Sequence, residues 1–120
     1  MAAKDDYVFT RDLLDNTRLI PTGGANLRVA DIGSGTGVWL VDAYDRLPKS
    51  TQFVGLDISF DAAPPPEALP SSIRFQKWDI RDPVPEELLG AFDIINVRFM
   101  VFVVLKEEVP LVVDKFIQML

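Results

Sequence analysis

Val29-Ala30-Asp31-Ile32-Gly33-Ser34-Gly35-Thr36-Gly37 decides the fold. A short apolar run, opened at Leu27, passes through an acid and breaks into alternating glycines. Helical spacing of Leu40, Val41, Tyr44 and Leu47 follows, until Pro48 stops it. Strand, glycine turn and helix in that order place the turn at the carboxyl end of the first strand of a parallel sheet, where such sheets bind ligands. Glycines let the backbone turn tightly and let a ligand approach without Cβ collisions. The helix that begins there offers free N–H groups to a negative group. A dinucleotide fingerprint, G-x-G-x-x-G, would need glycine where Val38 stands. A phosphate-binding P-loop would need a Gly-Lys-Ser/Thr run, and none follows.

Working outward, Phe53-Val54-Gly55-Leu56-Asp57-Ile58 reads as a second strand ending in an acid. Pro64, Pro65, Pro66 and Pro70 exclude a regular helix from 61–70 and predict an exposed loop. Ile73-Arg74-Phe75-Gln76-Lys77-Trp78-Asp79 alternates like a strand with one wetter face. Pro85-Glu86-Glu87-Leu88-Leu89, closed by Gly90, predicts a short helix. Phe92-Asp93-Ile94-Ile95-Asn96-Val97 is a fourth strand. Pro110 opens a last helix with an apolar stripe of Val112, Val113, Phe116, Ile117 and Leu120. Upstream, Leu13, Leu14 and Leu19 predict an amphipathic helix over 5–20, and 21–26 forms a linker. The pattern divides the chain into an N-terminal helical segment and linker, 1–26, and an α/β unit, 27–120, with a parallel sheet covered on both faces.

Composition narrows the chemistry. The 120 residues suffice for one domain, and 12 basic against 18 acidic side chains give a net charge of −6. That balance argues against nucleic acid as a partner, which would require a cationic stripe. With no Cys and no His, a disulfide framework, thiolate metal sites and the commonest general base are excluded, and no metal site is expected. Charge at Lys4, Asp5 and Asp6 does not fit a signal peptide, and the longest apolar run, Phe99 to Leu105, is far shorter than a membrane span. A cytoplasmic location without membrane contact is the expectation.

Four segments together resemble the class I S-adenosylmethionine (SAM)-dependent methyltransferases. The glycine loop matches their first motif, Val54 to Ser59 the second, Gln76 to Ile80 the third and Phe92 to Arg98 the fourth. The segments Leu56 to Asp61 and Arg11 to Leu19 are similar to fungal methyltransferases of secondary metabolism. The resemblance implies a Rossmann-like sheet in the order 3-2-1-4, with SAM, or S-adenosylhomocysteine as product, held by Asp31, Gly33, Ser34, Gly35, Gly37, Asp57, Ile58, Trp78, Asp79, Ile80 and Asn96. In that family the acid ending strand two holds the ribose hydroxyls, the third-motif acid meets the adenine amine, and the end of strand four touches the methionine moiety.

The residue types support those roles and also admit plainer ones. A strand-end carboxylate such as Asp57 accepts two hydrogen bonds from vicinal hydroxyls, or it caps the next helix. Asp79 stands open in the same way. Asp31 reads as a structural holder of the glycine loop with an indirect role near the ligand amine. Ile58, Trp78 and Ile80 suit the walls of a purine site, and Trp78 suits the core equally. Asn96 and Arg98 read as a ligand contact or as a solvated turn, and Tyr7 as a pocket cover or as surface packing. The catalytic group is unassigned; with no His to accept a proton, Asp12 and Asp15 in the N-terminal helix are the carboxylates open to that role.

Relative to the family's seven strands, the sequence is truncated after strand four, and 21–26 replaces a longer helical stretch. Strand four would then be an open apolar edge, which predicts a covering partner: a second copy or a companion chain, seated on that edge and on the last helix. The leading expectation is methyl transfer to a small secondary metabolite. The alternatives are a methyltransferase-like protein without methyl transfer, such as a cyclase or pericyclase, and a non-catalytic subunit completing a partner.

Overall fold

A computed structural model describes residues 26–97 and 104–120. The expected N-terminal helix and linker through residue 25, with Tyr7, Asp12 and Asp15, lie outside the described residues, as do Arg98 and most of the Phe99 to Leu105 run. Strands β1 (Arg28–Ile32), β2 (Gln52–Asp57), β3 (Ile73–Lys77) and β4 (Ile94–Val97) form one sheet in the order β3-β2-β1-β4. All three pairings are parallel. Helix α1 (Val38–Arg46) follows β1, and α2 (Val109–Met119) follows β4. The strand order is the one the sequence motifs imply.

Burial follows position in the sheet. β1 and β2, flanked on both sides, are buried after their first residue save for half-buried Asp57 at the end of β2, whereas β4 is half-buried throughout and β3 is mixed. Side chains alternate cleanly between faces. Val29, Phe53 and Ile73 pack with Trp39, Leu40, Ala43 and Leu47 of the α1 segment. Ala30, Ile32, Val54 and Leu56 pack on the other face with Trp78, Leu88, Phe92 and Met119. Near-continuous apolar strands are what burial on both faces demands.

Three sequence expectations change in detail. The segment around Leu88 is a single 3-10 helical turn, Glu86–Leu88, because Pro85 and Gly90 leave too few residues for an α-helix. The proline loop after β2 likewise holds only a 3-10 turn, Pro66–Ala68. The apolar stripe on α2 is split. Val112 and Met119 are buried and Phe116 half-buried, while Val113, Ile117 and Leu120 are exposed together with Leu111. Neighbours such as Val112 and Val113 sit about 100° apart on a helix, so only one of the two rows can face the sheet. The chosen row is completed by Met119, and its end is held by backbone bonds. The Gly90 N–H donates to the Gln118 carbonyl (2.9 Å) and the Phe92 N–H to that of Met119 (3.0 Å), satisfying carbonyls at a helix terminus.

Candidate functional site

The strand order reverses direction at β1, which lies between β2 and β4, so the crevice beyond its carboxyl end is the expected ligand position. The glycine loop crosses that end. Its first turn is fastened to β2 by the Gly33 N–H donating to the Leu56 carbonyl at 2.7 Å. Gly33, Gly35 and Gly37 all have positive φ, at 71°, 54° and 77°. This left-handed backbone is what a residue with a Cβ resists, by roughly 1–2 kcal/mol each. Around Gly33 and Gly35 a Cβ would meet nothing within 4 Å, so the outer side of the loop is open space.

Asp57 ends β2 and holds the loop in place. One carboxylate oxygen, Oδ2, accepts from the Gly35 N–H (2.9 Å), and Oδ1 accepts from the Ile58 N–H (2.7 Å). Each oxygen keeps a second lone-pair direction for a donor from outside. Ile58, beside it, is 65% exposed, a large apolar side chain left uncovered at the mouth of the site.

Asp31 and Asn96 are register partners on adjacent strands. The Asn96 Nδ2 donates to Asp31 Oδ1 at 2.8 Å, so a residue read as either ligand contact or solvated turn serves as the bonding partner of the buried β1 carboxylate. Trp78, Asp79 and Ile80 come from the segment after β3. Asp79 Oδ1 accepts from the Arg81 N–H (2.9 Å), and the Asp82 N–H donates to the Asp79 carbonyl (2.9 Å), closing a tight turn. The start of this turn is tied to β2 by the Trp78 N–H, which donates to the Asp57 carbonyl at 3.0 Å. Both strand-end acids therefore sit on one fastened backbone.

Trp78 takes the core position. Its side chain is 6% exposed within the cluster beneath the turn, its indole N–H donates to the Pro83 carbonyl (3.1 Å), and Ile80 packs half-buried against that cluster. Ser34 also turns inward. It is buried, its hydroxyl has no hydrogen-bond partner, and its Oγ lies 2.8 Å from where a Cβ on Gly55 would stand. The hydroxyl fills space beneath the loop.

Two site-building residues escaped the sequence reading. Asp31, Gly55 and Phe75 occupy one register row across β1, β2 and β3. The Phe75 ring lies across Gly55, 2.5 Å from where a Cβ there would stand, and reaches Gly37, 3.2 Å from where a Cβ on that residue would stand. Glycine inside a strand was the available signal, since it marks close approach of another group. Among the described residues no cluster of His, Cys, Asp or Glu is built to hold a metal ion.

No family model matches the chain. It is 36% identical over 102 residues to methyltransferase grgD of a Penicillium species, covering 78% of this chain and 35% of that protein. It is 37% identical over 75 residues to N-methyltransferase tcpN of Claviceps purpurea, covering 62% of this chain and 27% of that one. The chain thus spans only about a quarter to a third of the length of these relatives. Among solved structures, a SAM-dependent methyltransferase from Mesorhizobium loti superposes with a TM-score of 0.63 at 23% identity, over 91% of this chain and 47% of its own.

Proposed function

We propose that this chain, similar in sequence to fungal methyltransferases and sharing the Rossmann-like fold of SAM-dependent ones, binds SAM and takes part in methyl transfer to a small secondary metabolite. The observation that carries the reading is the open outer side of a triple positive-φ glycine loop braced by a strand-end carboxylate. A Cβ-free cradle with an acid beside it fits an adenosine bearing a ribose diol.

In this reading the free lone-pair directions of Asp57 accept from the two ribose hydroxyls. The exposed face of Ile58 lies along the purine, and Ile80, backed by buried Trp78, supports the other side. Asp79, or the backbone beside it, accepts from the exocyclic amine. The paired Asp31 and Asn96 present acceptor character to the ammonium of the amino-acid moiety, while Gly33, Ser34, Gly35 and Gly37 supply the close backbone. When bound, SAM supplies a methyl group on a cationic sulfonium. The protein supplies orientation and exclusion of water around it. No catalytic side chain is assigned among the described residues, and the reaction site is placed in the cytoplasm.

Calorimetry with SAM tests the binding step, and a SAM-dependent gain of one methyl mass on a secondary-metabolite substrate tests the transfer. Absence of any heat at millimolar SAM would end this reading. Binding without a methyl gain would favour a relative that has given up methyl transfer.

A partner completes the proposal. On the far side of β4, Val97, Val104, Val109, Val112, Val113 and Phe116 line an apolar cavity of about 230 Å³. The exposed Ile117 of α2 and Leu120 just past its end lie on the helix face of Val113 and extend this apolar surface. Such a surface, next to an edge of β4 that no described strand pairs, favours association. The 120-residue chain at micromolar concentration is expected to run as a dimer or larger species, or to be captured by a companion chain. A stable, soluble monomer by light scattering would remove this part.

A further inference from the structure

We infer that Lys115 is a positioning residue that sets the direction of the Asp79 carboxylate through the peptide joining Ile80 to Arg81. The inference rests on the reading that the turn at 79–82 receives the adenine amine. Lys115 lies on α2, outside every motif, yet its Nζ donates to the Ile80 carbonyl at 2.8 Å. In the turn closed by the Asp82 N–H and the Asp79 carbonyl, the Ile80–Arg81 peptide is the central one. That is the unit whose rotation converts one turn type into another.

Both ends of this peptide are held. Its N–H, on Arg81, donates to Asp79 Oδ1 (2.9 Å), and its carbonyl accepts from the Lys115 ammonium. Releasing the carbonyl frees the peptide to rotate, which withdraws the Arg81 N–H from Asp79 and lets the carboxylate swing. A charge-assisted bond to a half-buried carbonyl is among the stronger ones available for this purpose. A second tie runs in parallel. Arg81 pairs with Glu108 (Nε to Oε2, 3.4 Å), whose Oε1 accepts from the Leu105 N–H (3.0 Å). The Arg81–Glu108 pair is the more exposed of the two ties, so it contributes less. Helix α2, through Lys115, and the 3-10 turn just before it, Lys106–Glu108, therefore grip the turn at two points, and Lys115 holds the one that fixes the peptide plane.

The test uses Lys115→Met, which keeps the aliphatic stem, and Lys115→Arg, which keeps a cationic donor. In the ligand-free chain, exchange of the Arg81 amide is expected to quicken about tenfold in Lys115→Met and to change less than threefold in Lys115→Arg. Binding is read with S-adenosylhomocysteine and with its inosine counterpart, in which an oxygen replaces the amine. Lys115→Met is expected to raise the Kd for the adenine compound about tenfold and that for the inosine compound less than twofold, with the melting temperature little changed. An Arg81 amide that exchanges at the parent rate overturns the inference. So does an equal loss of affinity for both ligands, which would mark a general packing role. If the parent chain binds neither ligand, the adenine reading fails, while amide exchange still decides whether Lys115 holds the peptide.

Discussion

Asp57→Ala is expected to abolish measurable SAM binding at concentrations that saturate the parent chain, a loss of at least a hundredfold in affinity. The carboxylate has two duties in the site. It accepts from the Gly35 and Ile58 N–H groups, fastening the loop, and in the proposed complex it accepts from two ribose hydroxyls. Hydrogen bonds to a charged acceptor contribute about 1.5–3 kcal/mol each, so losing the ligand pair alone removes roughly 3 kcal/mol. A hundredfold change in Kd corresponds to about 2.7 kcal/mol. Alanine also leaves the Gly35 N–H without its acceptor, so thermal denaturation should be followed in parallel. Asp57→Asn separates the duties. Its amide keeps one acceptor oxygen for the loop but turns an NH2 toward the other donors, and its binding should fall about tenfold or more with a smaller loss of stability. Parent-like affinity in both variants would take Asp57 out of the site.

Gly55→Ala is expected to lower stability by about 3 kcal/mol, at the upper end for overpacking of a close-packed interior. The added methyl would stand 2.5 Å from Cδ1 of Phe75 and 2.8 Å from the Ser34 hydroxyl, at the junction of the central strands and the glycine loop. Neither neighbour has an easy retreat. Phe75 is wedged between Gly55 and Gly37 and rests against Phe60, with ring centroids 5.4 Å apart, and Ser34 is buried. A domain of this size should melt about 10 °C lower for such a loss. Because Phe75 touches Gly37 as well, the disturbance passes to the loop, and SAM affinity should fall with stability. Phe75→Ala in the Gly55→Ala background supplies the check. If the ring is the obstacle, the double variant loses at least 1 kcal/mol less than the sum of the two single losses. Simple additivity would place the clash elsewhere.

Much of the architecture was legible because it is local. Strands announce themselves as a short apolar run ending in Asp57 and an alternating one that stops two residues before Asp79, and glycines alternate where the backbone turns left-handed at Gly33, Gly35 and Gly37. Pro48 and Pro110 mark a helix end and a helix start within one residue or so of the observed bounds. Even the strand order was available, through the resemblance that the four motifs carry. The proline spacing failed at Glu86–Leu88, where too few residues separate the breakers for a full turn of α-helix to propagate.

Other features depend on rotation and register, which no local pattern specifies. The amino-acid order made the apolar stripe of α2 wide enough for two rows; packing of Phe116 and Met119 with Trp78, Leu88 and Phe92 chose the row they share with Val112 and left Val113, Ile117 and Leu120 outside. Trp78 suited core and cofactor wall equally until the fold buried it. Asn96 joins Asp31 across 65 residues of chain because β1 and β4 pair in that register, and Lys115 reaches Ile80 across 35 because α2 packs beside the turn after β3. The sequence by itself determined the strands, the glycine turn and the acids that end the strands, because φ preference and apolar period are properties of neighbouring residues. The tertiary structure alone decided which partners those acids found, because a hydrogen bond between distant residues is set by how the layers pack.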